Sequence, residues 1–588
     1  MMESLLREVS IPELAAIFAR NQDRSSTPHL RSFTISRVRR LATKNGLWED
    51  LNRTLDPDAD ITVIKRSVYR SFKQNGNRVV AQGAFRRRNA ELDRAATALW
   101  LGHPKGDVDY LQDLLWAYCD DWTWVMSAHE GRAIDLRAAN QAAMFAEILY
   151  ALADQLEDEV VERVKAEIDS RIFRQFCDYT KPDPWKTTRN NWNHVCNGAI
   201  VRTALLLIDD PRVLAHLVHS AIVNTTYALD GFTDDGGCVE GPGYWSYGFG
   251  NYIQAAYALY TKTDGELNLM RGEKIKRICR YPLATQIAGR LRSTFGDSSH
   301  GYVSALNALQ LNTFHELQEL YSLCHLHPDR TLRVRSMHEL ALYDGQKVRA
   351  NSNQSDYFLP DLGQVKLRGK PGKKQITLIA IAGHNGVNHN HNDIGSFLLH
   401  RGDRIHLADP GSPVYSAKTF SSQRYESVFC NSFGHSVPVI NGRGQSEGST
   451  HLGRISVENL NGQGEKRAVI DLTRAYPRGT VKNLVRTFLL GANRLLMEDT
   501  YTFTRSPSSV EEAFITLETA TVARNGRSVQ IGPKTKGLLL SALESSGRFR
   551  VERLVEASKE SRGDQIITRI SFKPEKLGKE MCLKFEMK

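Results

Sequence analysis

Apolar residues recur every third or fourth position through the first half of the chain. Between Leu136 and Phe176 one stripe holds Phe145, Ile148, Leu149, Leu152, Leu156, Val160, Val164, Ile168 and Ile172, a spacing that puts these side chains on one helical face. It predicts one long amphipathic helix or two in line. The same spacing runs through Tyr110–Tyr118, Ala199–Ile208, Pro211–Leu229, Tyr252–Thr261 and Val303–Leu323, with short polar or glycine-containing segments between them. Successive antiparallel helices joined by short turns are therefore expected over roughly residues 86–330.

Beyond about Tyr357 the period changes to alternation with many β-branched residues. Strands are expected at Gln375–Ala382, Ser396–Arg401, Arg404–Ala408, Val469–Leu472, Val485–Leu490, Leu495–Phe503, Ser528–Ile531, Phe549–Val555 and Gln565–Phe572. Gly402-Asp403 between two of them signals a tight hairpin. No helical crossovers separate these strands, so an antiparallel sandwich is favoured over a parallel sheet. The expectation is a multidomain α+β protein, helical over residues 1–340 and β-sandwich over 341–588, with the linker between Asp329 and Asp356.

The length of 588 residues suits two or three domains. With 41% hydrophobic and 24% charged residues, the composition excludes collagen, coiled coil and wholesale disorder. A formal net charge of +11 would draw a polyanion, either nucleic acid or acidic polysaccharide. Nucleic acid is disfavoured because no long basic run or stripe stands out. Eight cysteines lie scattered without a CxxC pair, which suggests buried thiols. The first residues carry Glu3, Arg7 and Glu8 and no secretory pattern. A cytoplasmic location is expected, or a secreted or periplasmic one if a leader has been removed. No window is apolar enough for a membrane helix, so no membrane partner is expected.

Three clusters could carry chemistry. The first is Asn190-Asn191-Trp192-Asn193-His194-Val195-Cys196-Asn197-Gly198, set before an apolar helix. Any one Asn there could be a cap, but so many amides with an imidazole also suit a carboxylate pocket. The second, Asp234 to Trp245, winds four glycines and Pro242 around Glu240 and ends in Tyr244 and Trp245. It is either a helix-to-helix turn that plugs the core or the seat of a proton-transfer phenol, with the pKa of Tyr244 lowered by nearby cations or metal. The third is Gly383 to Asp393, containing His389 and His391, followed by Asp409 and His435. Two residues apart on extended chain, the two histidines would face the same side. Imidazoles and a carboxylate are a reasonable divalent-metal set.

Through NNWNHVCNG (190–198), DGGCVEGPGYW (235–245), NHNHNDIGSF (388–397), ADPGSPVYSAKTFSSQRYES (408–427) and GHSVPVING (434–442), the chain resembles the heparinase II/III superfamily of polysaccharide lyases. The resemblance implies an α/α toroid followed by an antiparallel β-sandwich, and β-elimination on uronate-containing acidic polysaccharides or oligosaccharides such as heparan sulfate, hyaluronan, chondroitin or alginate. It assigns Asn191 to neutralise the uronate carboxylate, and Tyr244 and His389 to acid and base, in an order set by the C5 epimer. Asn193, His194, Glu240, Trp245, Arg424 and Tyr425 become candidate substrate contacts. His391, Asp409 and His435 become ligands of one divalent ion, zinc first, with manganese or calcium as alternatives. Two other classes stay open: a metal-dependent glycan hydrolase and an inactive glycan-binding protein on the same fold. Oligomeric state is not legible.

Overall fold

The computed structural model describes residues 9–299, 301–349, 355–544, 546–563 and 565–588. The chain divides into two units. Met1–Gly231, Trp245–Lys276 and Val303–Ala350 form the first; Phe232–Tyr244, Arg277–Tyr302 and Asn351–Lys588 form the second. The main changeover thus lies near residue 350, and two excursions replace the single cut expected at 340. Hydrogen bonds distant in sequence tie both excursions into the second unit. Asp235 accepts from the backbone N–H of Asp361 (2.7 Å) and Leu362 (3.1 Å), and buried Lys366 donates to the Leu283 carbonyl (2.6 Å).

In the helical unit the long stripe resolves into helices Leu136–Leu152 and Asp158–Ile168, the second continuing through a π turn to Phe176. The break falls where polar Asp154, Gln155 and Glu157 interrupt the pattern. Asp158 and Glu159 then favour a fresh helix start, because the exposed N–H groups there attract negative charge. Asp135 caps the first helix by accepting from Ala138 N–H (2.8 Å). Helix Pro211–Leu229 opens on a proline at its first position, capped by Asp210. Helix Asn191–Leu207 packs against Leu136–Leu152, Pro211–Leu229 and Gly250–Lys262. Val195 to Val201 are all buried. A helix covered all round shows no one-sided stripe, so the apolar pattern marked only its second half. The Asn-rich motif forms its first turns instead of preceding it. A short helix, Met337–Leu342, lies in the stretch read as linker, started by a Ser336–Glu339 capping box.

The second unit is built of antiparallel pairs. Asn483–Leu490, Leu495–Thr502 and Glu580–Met587 lie side by side in a nine-stranded sheet, with four- and five-stranded sheets in the same unit. Their alternating inward residues, including Phe488, Met497, Tyr501 and Phe585, share one apolar core with Phe514 and Phe572 of the four-stranded sheet and Leu367, Leu378 and Phe397 of the five-stranded one. The hairpin Phe397–Arg401 and Arg404–Leu407 turns at Gly402 with φ +66°, a left-handed conformation that glycine adopts without steric cost. Strand Gly448–Glu458 is largely solvated and alternates only over its last five residues, where Ile455 and Val457 pack on the core. Among the described residues, no helix is long and apolar enough to cross a membrane.

Candidate active site

The second unit gathers Tyr244, His389 and Tyr415 around one carboxylate that the sequence does not single out, Asp297. Gly241, at φ +91°, carries the loop past Ser298, where a Cβ would come within 2.5 Å of the serine Oγ. The loop then closes in the single turn Pro242–Tyr244. The segment after Asn385 is a turn, not the extended chain expected: His389 sits at φ +61°, a left-handed conformation uncommon for a non-glycine side chain. Through this turn both histidines reach Asp297 from one side. His389 Nδ1 lies 2.7 Å from Asp297 Oδ2 and His391 Nε2 lies 3.0 Å from Oδ1. The backbone locks the arrangement, since Asp297 N–H donates to the His389 carbonyl (3.3 Å).

The Tyr244 hydroxyl is 3.2 Å from His389 Nδ1, its ring stacks on the imidazole with centroids 4.1 Å apart, and it hydrogen-bonds the Tyr415 hydroxyl. Tyr415 in turn donates to Asp297 Oδ2 (3.1 Å). With the ionised Asp297 as its nearest acceptor, Nδ1 of His389 is the nitrogen placed to donate, which directs Nε2 away from that carboxylate. That nitrogen lies 3.8 Å from Glu240 Oε1. A cavity of about 140 Å³ opens here, lined in part by Gly241, Pro242, Phe295, His384, His389 and His391.

Electrostatics differ from the expected lowered phenol. Burial pushes the Tyr244 hydroxyl well above its ordinary value, and neighbouring Tyr415 and the Asp297 charge push it further, because a low-dielectric, acid-lined site disfavours phenolate. Tyr244 is therefore a neutral donor. Burial would also raise Asp297, yet hydrogen bonds from His389 and His391 and the charge of Arg424 overcome it and hold the carboxyl well below the usual range.

Arg424 is committed as a brace. It donates to Asp297 Oδ1 (2.9 Å), the Asn390 carbonyl (2.9 Å) and the Thr419 carbonyl (3.2 Å), which leaves little of the guanidinium for the expected substrate contact. Tyr425 accepts from Asn390 (3.3 Å). In the helical unit, Asn191 is 6% exposed at the first position of its helix, behind the Asn190 cap. Gly248 approaches its Cα so closely that an added Cβ would meet it at 3.0 Å. Asn193 is 0% exposed and donates to the carbonyls of Lys186 and Asn224 (2.8 Å each). His194 packs on Tyr252 and Phe249, and Trp245 is 0% exposed. These three are interior residues, contrary to the expectation that they touch substrate.

Among the described residues, two donor groups could hold a cation. His391, Asp393 and His435 bring one ligand atom each within 4.8 Å of one another, as do Asp297, His391 and Cys430. In the first group His391 Nδ1 and Asp393 Oδ2 are buried without a hydrogen-bond partner, which is costly unless something binds there. Burial raises Asp393 to about 7 and lowers His391, keeping the imidazole in its ligating form. The second group is poorer: Asp297 is saturated, and burial lifts the Cys430 thiol to about 12. Asp409 accepts from His435 Nδ1 (2.9 Å) and does not reach His391 in either group. The set offers the nitrogen and oxygen ligands a divalent ion takes, with Asp393 present where the sequence offered only Asp409, and to bind the ion His435 must give up its contact with Asp409 or with the Phe429 carbonyl.

Comparisons with known proteins bear on this geometry. Residues 351–571 match the family model Heparinase II/III-like, C-terminal. In fold the whole chain is similar to heparinase III, with a TM-score of 0.62 at 11% identity, covering 95% of this chain and 93% of that one. It is also similar to the heparan sulfate lyase HepC from Pedobacter heparinus, with a TM-score of 0.57 at 14% identity and coverage of 98% and 88%. A third likeness is to the chondroitin AC lyase of Streptomyces coelicolor, with a TM-score of 0.52 at 11% identity and coverage of 97% and 82%. A search of curated proteins finds no match. The helical unit followed by antiparallel sheets is thus the fold of these lyases.

Proposed function

We propose that the protein is a polysaccharide lyase that cleaves uronate-containing acidic glycans by β-elimination, leaving a 4,5-unsaturated uronate. The observation that carries this reading is the contact of Tyr244 with His389 around Asp297. Asp297 orients the imidazole so that Nε2 is the base for the C5 proton. As the C4–O4 bond breaks, the C5–H electron pair becomes the C4=C5 double bond, and the neutral Tyr244 phenol protonates the departing O4. A proton passes from C5 to O4 overall and no water is consumed. Tyr415 supports the phenol and the carboxylate together. Neutralisation of the uronate carboxylate is assigned to Asn191 on the sequence resemblance.

His391, Asp393 and His435 would hold one divalent ion, zinc first, with manganese or calcium as alternatives, and Asp409 would brace His435. Bound there, the ion supplies a fixed positive charge that holds the segments bearing these residues in place. Digestion of heparan sulfate, hyaluronan, chondroitin and alginate, followed by absorbance of the conjugated product, tests the reaction. The expected result is a rising ultraviolet band on at least one polymer. Depolymerisation without that band makes the enzyme a hydrolase.

A further inference from the structure

Residues 65–88 hold eight basic side chains and no acidic one, a block within a chain whose net charge is +11. The fold displays it beside an exposed aromatic ring. Trp122 is 73% exposed, and buried Tyr69 meets it edge-on with centroids 5.3 Å apart, so the indole stands as a supported platform. A cavity of about 290 Å³ lies here, lined among others by Ile64, Arg66, Tyr69, Arg70, Phe85 and Trp122. Its one acid, Asp121, is neutralised by buried Arg88 (2.8 Å). Arg66 is exposed and makes no side-chain hydrogen bond or ion pair among the described residues, and Arg70 is held only by Glu130 at 3.6 Å.

The patch continues towards Asn191 within the same unit. Arg78 Nη2 lies 2.9 Å from His129 Nε2. The His129 ring is 4.5 Å from that of Trp192, and the Arg132 guanidinium lies 5.0 Å over the Trp192 ring. Basic and aromatic groups thus run from Trp192, next to Asn191, through His129, which also pairs with buried Asp135 (2.8 Å), to Arg78.

We propose that the Trp122 cavity is a distal subsite for an acidic sugar of the polysaccharide chain, a proposal that rests on the lyase reading above. The apolar face of a pyranose ring suits an isolated exposed indole, and Arg66 and Arg70 suit the carboxylate or sulfate on that ring, which a guanidinium can bind bidentately. Single-stranded nucleic acid, the other polyanion, stacks successive bases on successive exposed rings. Here one ring is exposed and Trp192 is half covered, so the glycan is favoured.

The test uses the full chain and the variants Trp122→Ala and Arg66→Glu, with tetrasaccharides and decasaccharides from heparan sulfate, hyaluronan and alginate. On decasaccharides KM should rise about tenfold with kcat within about twofold, while tetrasaccharide kinetics stay unchanged, as loss of one stacking or ion-pair contact predicts. Decasaccharide binding, measured calorimetrically in a Tyr244→Phe background, should weaken by the same factor. Equal losses on short and long substrates, or unchanged decasaccharide binding, would overturn the subsite. So would wild-type binding of a DNA oligonucleotide more tightly than the decasaccharides, if Trp122→Ala abolished it. The calorimetric arm needs no turnover, so failure of the lyase reading would show in the absorbance assay alone.

Discussion

At the scale of single residues, Asp297 is the anchor that would hold His389 in place as the proposed base. One carboxylate oxygen takes the His389 and Tyr415 hydrogen bonds and the other takes His391 and Arg424, so the base, the phenol pair and the candidate metal pocket share one anchor. Tyr244→Phe removes the transferable proton but keeps the ring stacked on His389. Its turnover should fall about 100- to 10,000-fold with an unchanged melting curve, and a variant within a few-fold of wild type would return Tyr244 to a packing role. A second pair of substitutions separates ligand from base. His391→Ala should lower both metal content, by elemental analysis, and melting temperature, because a site assembled only in the folded chain links binding to stability. His389→Ala should keep the metal and lose activity; the opposite pattern would exchange their roles. Asp297 lies outside every motif read in the sequence, and Tyr415 lies inside the 408–427 motif without being singled out. Each is a lone residue in an irregular segment, and Asp297 takes its importance from partners 92 to 127 positions away.

At the scale of elements, alternation located the strands whose two faces differ, such as Asn483–Leu490 and Leu495–Thr502, and missed those with solvated or uniformly buried patterns, such as Gly448–Glu458 and Gln364–Arg368. Cross-strand neighbours also make a buried ionic network. Arg486 pairs with Asp499 (2.6 Å) and Glu512 (3.2 Å) and donates to the carbonyls of Ser436 (2.6 Å) and Gly395 (2.8 Å), while Tyr501 hydrogen-bonds Glu512. Burial raises the Glu512 carboxyl well above its ordinary value, with the neighbouring Asp499 charge adding to it, so this strand layer depends on the guanidinium. Arg486→Leu strands buried acids without their cation and should cost about 3–5 kcal/mol in denaturant unfolding. A loss under about 1 kcal/mol would mean that the carboxylates are compensated without it.

At the scale of the whole molecule, acid should weaken the helical unit through two buried imidazoles. Burial chiefly holds His29 and His194 at about 3, against about 6.5 in an unfolded chain. Between those values the unfolded chain binds protons that the folded one does not, so their contribution is full above about pH 6.5 and is lost as pH falls towards 3. The melting temperature of the wild type should decline across that window, and His194→Gln should reduce the slope. An unchanged slope would show that carboxylates alone drive the decline. Much of the architecture was written in local patterns. Helical and alternating periodicities, the Gly402 hairpin, and the loop and histidine motifs containing Tyr244 and His389 follow from short-range rules, since side-chain spacing and backbone preference act over a few residues. Tertiary structure decided what depends on distant partners. It placed 232–244 and 277–302 in the second unit, buried Asn193, His194 and Trp245, raised the Tyr244 phenol instead of lowering it, and brought in Asp297. Burial, dielectric and hydrogen-bond partnership belong to the folded surroundings of a group, and no residue carries them alone.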